Sequence, residues 1–227
     1  MMTKMKAENT AGYQAPIGIA ADPVIFTCID QKLMVLLLQR KDGTYALPGG
    51  FVGATEGSAE TAARKLEEKT GMHPAYLEQL RSYDHPDRDP RGWVISVAYL
   101  ALVPADSLPE DSDAAWFDVA SLPVLAFDHA EIIEDATERL RGKLWFSNVA
   151  LGLLDETFTL SAARKVYTAI SGVEYDAANF SRDLKNSGLI RQTGETTLSM
   201  RGRPARLYEF VSHEPAWAPQ YGKGTKR

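Results

Sequence analysis

The sequence predicts two domains, an α/β domain followed by a small α+β domain, and two observations carry this prediction. Up to about residue 143, strand-like aliphatic segments alternate with helix-like segments, and beyond it the pattern becomes three short helices and a hairpin. The charge changes at the same point: residues 1–139 hold 12 Lys and Arg against 22 Asp and Glu, and residues 140–227 hold 13 against 8. The formal charges of −10 and +5 indicate separate partners, and the basic part is the candidate for binding a polyanion.

The first domain is predicted to alternate strands and helices. The strands are expected at residues 17–29, 32–39, 45–52 (interrupted by a loop), 75–83, 93–103 and 116–119, and the helices at 58–69 and 129–144. The first helix is rich in Ala, Glu, Lys and Leu, and Gly71 supplies its stop. Residues 86–92 are polar and rich in Pro and Gly, which is typical of a loop.

The second domain is predicted to contain helices at 145–154, 159–171 and 176–187, and hairpin strands at 189–193 and 205–211. Thr159 and Asp176 have the side chains that favour helix N-caps. We place a flexible arm at 1–15, the first domain at 16–142, the second at 143–212 and a polar tail at 213–227. The longest apolar run is far shorter than the ~20 residues of a membrane helix, and no secretory signal is evident, so we expect a cytoplasmic protein without a membrane partner.

One stretch of the first domain resembles the Nudix box. The family pattern is G-x-x-x-x-x-E, seven residues, then R-E-U-x-E-E-x-G-U, where U is a bulky aliphatic residue. The residues in register are Gly50, Glu56, Arg64, Leu66, Glu68, Gly71 and Met72. The resemblance implies an α/β/α Nudix sandwich with a mixed sheet, which acts on or binds a nucleoside diphosphate linked to another group.

The metal-binding part of this motif is altered. In the family the three glutamates of R-E-U-x-E-E hold divalent cations, and here the matching residues are Lys65, Glu68 and Lys69. Lysine offers no oxygen ligand, whereas Mg²⁺ prefers hard oxygen ligands. A like-charge contact at ~4 Å costs about 4 kcal/mol at an effective dielectric of ~20. We therefore expect no metal, no cofactor and no catalytic residues. The alternative is a weak metal site supported by Glu56.

Other residues of the first domain suit a nucleotide pocket. Arginine forks match phosphate geometry, and Arg88 and Arg91 share the 86–92 loop, while Arg40 follows the second strand. Lysines on the altered helix are also able to attract phosphates directly. The predicted effector-binding residues are Arg40, Gly49, Gly50, Arg64, Lys65, Glu68, Lys69, Arg88 and Arg91.

The second domain has the element order of a winged helix-turn-helix, in which one helix enters the major groove of DNA. In the helix at 176–187, Phe180 and Leu184 are four residues apart and are expected to face the core. That spacing leaves Asn179, Arg182, Lys185 and Asn186 for the outer surface, where Arg and Asn suit base edges and Lys suits phosphates. A basic wing is predicted to add Arg201, Arg203 and Arg206.

The chain as a whole resembles the Nudix-related transcriptional regulators, especially those of NAD metabolism. Besides the Nudix half, the resemblance rests on residues 89–93, 158–160, 166–167, 179–182 and 203–210, and it covers about residues 15–212. It implies a homodimer that binds a palindromic DNA operator, represses NAD biosynthesis or salvage genes and responds to ADP-ribose or a related nucleotide. Two alternatives stay open: an active Nudix pyrophosphatase with an appended module, and a ligand-regulated protein-interaction adaptor.

Overall fold

The computed structural model describes residues 15–71, 73–104, 113–197 and 204–219. The first domain contains β1 (Gly18–Ile29), β2 (Lys32–Gln39), β3 (Tyr45–Ala46), β4 (Gly50–Phe51), α1 (Ser58–Thr70), β5 (Tyr76–Tyr83), β6 (Val94–Leu102), β7 (Ala114–Asp118) and α2 (His129–Lys143). The second contains a 3₁₀ helix (Val149–Leu153), α3 (Leu160–Ser171), α4 (Ala177–Asn186), β8 (Ile190–Thr196) and β9 (Arg206–Phe210).

The first domain is an α/β/α sandwich around a mixed sheet, as predicted. Its strand order is β3-β2-β1-β6-β5, with β4 on β1 and β7 on β2. On one face Leu66 of α1 belongs to a core cluster with Ile25 and Leu36. On the other face Ile133 of α2 belongs to a cluster with Phe26, which also includes the core of the second domain. The two domains therefore share one continuous core on this face of the sheet.

Strand β1 pairs with two different strands along one of its edges. Along the other edge it pairs with β6 in parallel, from Gly18 opposite Val94 to Phe26 opposite Leu102. On the changing edge, Ala20 and Ala21 pair with β4, whereas residues 26–29 pair with β2. Because β2 and β4 diverge from this edge, a cavity opens between them.

The second domain is a winged helix. The side chain of Thr159 caps α3 by accepting from the Ala162 amide, and Asp176 caps α4 by accepting from the Ala178 and Asn179 amides. Backbone hydrogen bonds of 2.8 Å in both directions join Phe158 to Tyr208, so the segment before α3 extends the β8–β9 hairpin into a small sheet.

The helix predicted at 145–154 is wrong in extent, since only Val149–Leu153 is helical and it is 3₁₀. The backbone before it forms hydrogen bonds with the C-terminal segment instead of helical ones. The Asn148 amide donates to the Ala216 carbonyl, and the Ala218 amide donates to the Phe146 carbonyl. Gly152 then packs so closely on β6 that a Cβ there would lie 2.6 Å from the Leu102 Cβ. Pairing with the C-terminal segment thus replaces the first helical turn.

The predicted polar tail also differs from the structure at its start. The Asn148 side-chain amide donates to the carbonyls of Ser212 and Glu214, and its oxygen accepts from the Ala216 amide. Ala218 is fully buried. Hydrogen bonds to Asn148 therefore hold residues 212–218 against the segment that follows α2. In the part of the chain that is described, no helix is long and apolar enough to cross a membrane.

Candidate functional site

The cavity beside β1 has a volume of about 300 Å³ and gathers residues from five parts of the first domain. It lies where β1 separates from β2 and β4, and it is bordered by the 88–94 segment and by the start of α2. Besides aliphatic residues, its lining consists of Asp22, Gln39, Arg40, Gly49, Gly50, Phe51, Arg88, Asp89, Arg91, Asp113, Phe127 and His129.

The floor of the cavity is a buried ion pair. Arg88 binds Asp128 through two hydrogen bonds of 2.7 and 2.6 Å, and only 4% of its side chain is exposed. Asp22, which is also buried, lies 4.0 Å from the same guanidinium and accepts from the Ser96 hydroxyl. A charge this buried needs its partner, because removing one member of such a pair leaves an uncompensated charge in the interior.

His129 connects the floor to the loop that precedes β4. Its Nδ1 accepts a hydrogen bond of 2.9 Å from the Leu47 amide, and the residue is 4% exposed. Burial lowers the pKa of His129, which favours the neutral ring that is able to accept this hydrogen bond. The first turn of α2 thus holds the loop in place.

Glycine is required where the same loop crosses β1. A Cβ on Gly49 would lie 1.9 Å from Oδ1 of Asp22 and 2.9 Å from the Ala21 carbonyl oxygen. At the next residue, a Cβ on Gly50 would lie 3.0 Å from Cε of Lys65. The loop is therefore packed between β1 and the Lys65 side chain of α1.

The rim of the cavity combines arginines with aromatic rings. The Arg91 guanidinium lies 5.2 Å from the centre of the Phe51 ring and 5.7 Å from that of Phe127, and Arg40 lies 4.8 Å from Phe127. Arg91 is also held by Asp89, whose pKa is lowered by this hydrogen bonding. Such a rim presents both cationic forks and flat apolar surfaces to a ligand.

Phe127 occupies an unusual backbone conformation at this rim. Its φ is +57°, in the left-handed region that disfavours residues with a side chain. The ring packs 5.1 Å from His129, between Arg40 and Arg91. Backbone strain of this kind is commonly retained at functional sites.

Helix α1 carries a network of ion pairs where the Nudix motif has metal ligands. Arg64 forks Glu56 at 3.1 and 2.6 Å and also donates to Glu68 at 2.7 Å. Lys65 donates to the other Glu68 oxygen at 2.7 Å, and Lys69 binds Asp113 at 2.8 Å. The carboxylates that remain are thus already neutralised by cations of the protein.

The ion pairs change the chemistry of the two remaining glutamates. Hydrogen bonds from Arg64 lower the pKa of Glu56 to about 2, and those from Lys65 and Arg64 lower the pKa of Glu68. No three His, Cys, Asp or Glu side chains of the described residues are grouped so that they could hold a metal ion. Ammonium groups at two of the three ligand positions offer no oxygen to a divalent cation, so the residues present do not fit a metal.

The predicted effector residues fall into two groups. Arg40, Gly49, Gly50, Arg88 and Arg91 line the cavity together. Arg64, Lys65, Glu68 and Lys69 lie on α1, where Lys65 reaches Gly50 and Lys69 reaches the cavity residue Asp113. The guanidinium of Arg88 is engaged by Asp128 and forms the floor, which differs from the free phosphate ligand that its loop position suggested.

Seven of these lining residues were not predicted from the sequence: Asp22, Gln39, Phe51, Asp89, Asp113, Phe127 and His129. Their neighbours in sequence gave little signal. A buried aspartate and a buried histidine are recognisable only once the tertiary fold brings them beside Arg88. Phe51 stands inside the Nudix motif at a position where the family pattern allows any residue, so the motif alone does not single it out.

The second candidate surface is the outer face of α4. Phe180 and Leu184 are buried, at 2% and 1% exposure, as their spacing predicts. The predicted contact residues Asn179, Arg182, Lys185 and Asn186 are all exposed. Of the predicted wing residues, Arg206 is exposed at the start of β9, whereas Arg201 and Arg203, like Met72 of the Nudix motif, lie outside the described residues.

Comparisons with known proteins agree with both domains. Sequence profiles of the NUDIX domain and of the NrtR DNA-binding winged helix domain match residues 20–140 and 150–210. An "ADPR responsive transcriptional repressor NtrR" from Acinetobacter baylyi is 33% identical over 211 residues, which cover 88% of this chain and 84% of the relative. The chain belongs to the NrtR family of Nudix-related transcriptional regulators.

Two further relatives show how each part of this NrtR-family chain compares. Shewanella oneidensis NrtR, crystallised with a 27mer DNA, is 38% identical with a TM-score of 0.75, covering 85% of this chain and 93% of that one. An ADP-ribose pyrophosphatase from Methanocaldococcus jannaschii is 42% identical over 125 residues, 52% of this chain and 72% of the relative. The likeness to the regulators from Acinetobacter and Shewanella covers 88% and 85% of the chain, whereas the likeness to this hydrolase is confined to about half of it.

Proposed function

We propose that this chain is a DNA-binding transcriptional repressor whose Nudix domain binds ADP-ribose, or a closely related NAD-derived nucleotide, as its effector. The observation that carries the proposal is that one chain joins a cavity rimmed by arginines to a winged helix whose α4 exposes Arg182 and Lys185. The regulator from Acinetobacter, which responds to ADP-ribose by its name, supports the choice of effector. The target genes that fit such an effector are those of NAD biosynthesis and salvage.

We assign the effector's two phosphates to the cationic rim of the cavity. Arg91 and Arg40 are partly exposed and border the loop at Gly49 and Gly50. Lys65 extends over the same loop from α1 and supplies a third positive charge. Phe51, which is 46% exposed, offers a flat surface for the adenine base. These contacts need no metal ion, so effector binding is expected to survive chelation.

We assign operator binding to α4 and the β8–β9 wing. Asn179, Arg182 and Asn186 suit base edges in the major groove, and Lys185 suits phosphates. The wing arginines suit phosphates or the minor groove; these are Arg201, Arg203 and Arg206. A palindromic operator read by a homodimer fits the two-fold symmetry of most winged helix-turn-helix regulators. We expect a repressor of this kind to act in the cytoplasm, where its operator DNA lies.

A second candidate function is hydrolysis of ADP-ribose. It is favoured by the likeness of the first domain to the Methanocaldococcus pyrophosphatase and by the retention of Glu56 and Glu68. Against it stand Lys65 and Lys69, which replace two oxygen ligands by cations. We therefore propose that the domain binds without cutting.

The test is a binding experiment with the full chain. Genomic fragments retained by the purified protein are sequenced, and a labelled duplex of the enriched site is titrated by fluorescence anisotropy with and without ADP-ribose. We expect specific binding that falls steeply with salt, because phosphate contacts release counterions, and dissociation by ADP-ribose but not by ribose 5-phosphate. Failure to enrich any duplex, or enrichment unaffected by millimolar ADP-ribose and NAD, would contradict the proposal.

A further inference from the structure

Helix α2 touches the effector cavity at one end and the winged helix at the other. At its N-terminus, Asp128 holds the Arg88 fork and His129 holds the Leu47 amide. Near its C-terminus, Nε of Arg141 donates a hydrogen bond of 2.9 Å to the carbonyl oxygen of Ile170 in α3. The helix has 15 residues, and at ~1.5 Å per residue it spans about 22 Å.

The contact of Arg141 falls on the last turn of α3. The final carbonyls of a helix lack partners within the helix and carry partial negative charge. The Gly172 amide satisfies Thr168, and Arg141 satisfies Ile170 from the neighbouring domain. A cation at this position both completes the helix end and fixes its place relative to α2.

An aromatic cluster continues the connection to the recognition helix. Trp145 lies two residues beyond α2, and its ring centre is 5.2 Å from that of Tyr167 in α3 and 5.7 Å from that of Phe180 in α4. Tyr167 and Phe180 are themselves 5.2 Å apart. Because interiors are packed without slack, a shift of the end of α2 has to be accommodated by α3 and α4 together.

The inner face of α2 packs in the core that both domains share. Ile132, Ala136 and Leu140 are fully buried along this face. They belong to the core cluster that also contains Phe180 and Leu184 of the recognition helix. The side chains of α2 and α4 therefore meet in one packed cluster, where a change in the position of one helix affects the packing of the other.

We infer that α2 couples effector binding to the placement of α4, and that Arg141 is the positioning residue of this coupling. The inference rests on the proposed function and specifies its regulation. An anionic ligand on the rim competes with Asp89 for Arg91 and draws Arg91 and Arg40 away from the Phe127 ring, which directly precedes the Asp128 cap of α2. A ligand shifts an equilibrium only through its different affinity for the two states, and this rearrangement beside the start of α2 is such a difference.

The test measures the coupling itself in a four-state cycle. Operator Kd is measured with and without saturating ADP-ribose, and ADP-ribose Kd with and without operator, for the unmodified chain and for Arg141→Met. Coupling between sites is typically about 5- to 150-fold and is reciprocal. We expect Arg141→Met to bind each ligand separately within about threefold of the unmodified chain, but to lose at least two thirds of the fold-change in both directions.

A matched control lies on the same helix. Arg139 donates to Glu78 of β5 at 2.8 Å, an interaction inside the first domain. Arg139→Met is expected to keep the full coupling, and Arg141→Lys, which retains a cationic donor, is expected to restore part of it. Equal losses in the Arg139 and Arg141 variants, or undiminished coupling in a folded Arg141→Met protein, would overturn the inference while leaving the proposed function intact.

Amide hydrogen exchange of the unmodified chain provides a readout that needs no variant. Saturating ADP-ribose is expected to change the protection of amides in residues 168–172 and 180–184 at least as much as in residues 129–133. Protection that changes around the cavity alone would overturn the relay. If ADP-ribose neither binds nor releases the operator from the unmodified chain, the proposed function fails and the inference falls with it.

Discussion

The cavity end of the molecule (the cavity with α1) and its recognition end (α4 with the hairpin) differ in how many cationic side chains are paired. At the cavity end, Arg64, Lys65, Lys69 and Arg88 are each bound to carboxylates at 2.6–2.8 Å. At the recognition end, Arg191 of β8 is bound to Glu209 at 2.7 Å, and Arg182 pairs only with its neighbour Asp183. Within the described residues, the side chains of the other predicted DNA contacts form no hydrogen bond or ion pair; these are Asn179, Lys185, Asn186 and Arg206.

This difference explains how similar residues serve separate tasks. Cations committed to internal carboxylates replace a metal and hold the shape of a pocket, and their charge is screened from distant partners. Cations left without carboxylates keep their full attraction for a polyanion. The count of charged residues alone therefore does not tell which end binds DNA; the pairing does.

The largest effect is expected at the recognition end. Arg182→Ala should weaken operator binding by roughly 10- to 100-fold and relax the preference at one base position, because a bidentate base contact contributes about 1–3 kcal/mol. Anisotropy titrations with the operator and with single-base variants measure this effect. Lys41→Ala, an exposed lysine of the acidic domain, is the control, and an equal loss in both variants would break the comparison.

The next effect concerns the fit of the loop at the cavity end. Gly49→Ala is expected to destabilise the chain by about 1–3 kcal/mol, because the new Cβ overlaps Asp22 and the Ala21 carbonyl, and to abolish ADP-ribose binding. Chemical denaturation and calorimetry measure the two effects. The control is Gly142→Ala in α2, where a Cβ meets nothing within 4 Å, and there a gain of up to about 1 kcal/mol is expected. A neutral Gly49→Ala would refute the packing.

Replacing Lys65 and Lys69 by the glutamates of the Nudix motif tests whether these two cations contribute to effector binding. The double variant Lys65→Glu and Lys69→Glu is expected to bind ADP-ribose about tenfold more weakly in EDTA, because like charges then face the phosphates, and to gain a binding isotherm for Mn²⁺. Lys165→Glu makes the same kind of charge change at an exposed residue of α3, in the second domain, and serves as the control. Unchanged affinity in EDTA would show that the two lysines do not meet the effector.

The smallest effect is a change in titration. Arg64 holds the pKa of Glu56 at about 2, so the stabilising pair is present above the ordinary pKa of 4.5 and is lost as the pH falls from 4.5 towards 2. In Arg64→Met the Glu56 carboxyl should titrate close to 4.5. Carbon-detected NMR of the side-chain carboxyls measures both proteins, and an unshifted Glu56 in the variant would contradict the pairing.

Much of the fold was predictable because local patterns and tertiary packing agree. The Nudix spacing fixed α1 and its loop, and the spacing of Phe180 and Leu184 fixed the buried face of α4. The helix at 145–154 was overpredicted, since its apolar residues gave no sign that the backbone of Phe146 and Asn148 pairs with residues 216–218. Pairing between segments 70 residues apart leaves little trace in either one.

The candidate site was predictable in its cationic residues and in the two glycines of the Nudix loop, Gly49 and Gly50. Arginine and lysine positions followed from the motif and from loop composition, but the partners that engage them did not. The Arg88 guanidinium points inward because it binds Asp128, the N-cap of α2, which lies forty residues later in the sequence. Phe127 and His129 belong to the cavity for the same reason, because they flank this N-cap.

The central claim, that the pocket recognises a nucleotide without cutting it, is tested most directly by following ligand and DNA together. ADP-ribose is added to the complex of the full chain with its operator, once in EDTA and once in Mg²⁺ or Mn²⁺, while ³¹P NMR monitors the ligand and anisotropy monitors the DNA. We expect release of the DNA both in EDTA and with the metal ion, and the pyrophosphate remains intact. Metal-dependent conversion of ADP-ribose to AMP and ribose 5-phosphate, with no release in EDTA, would contradict it.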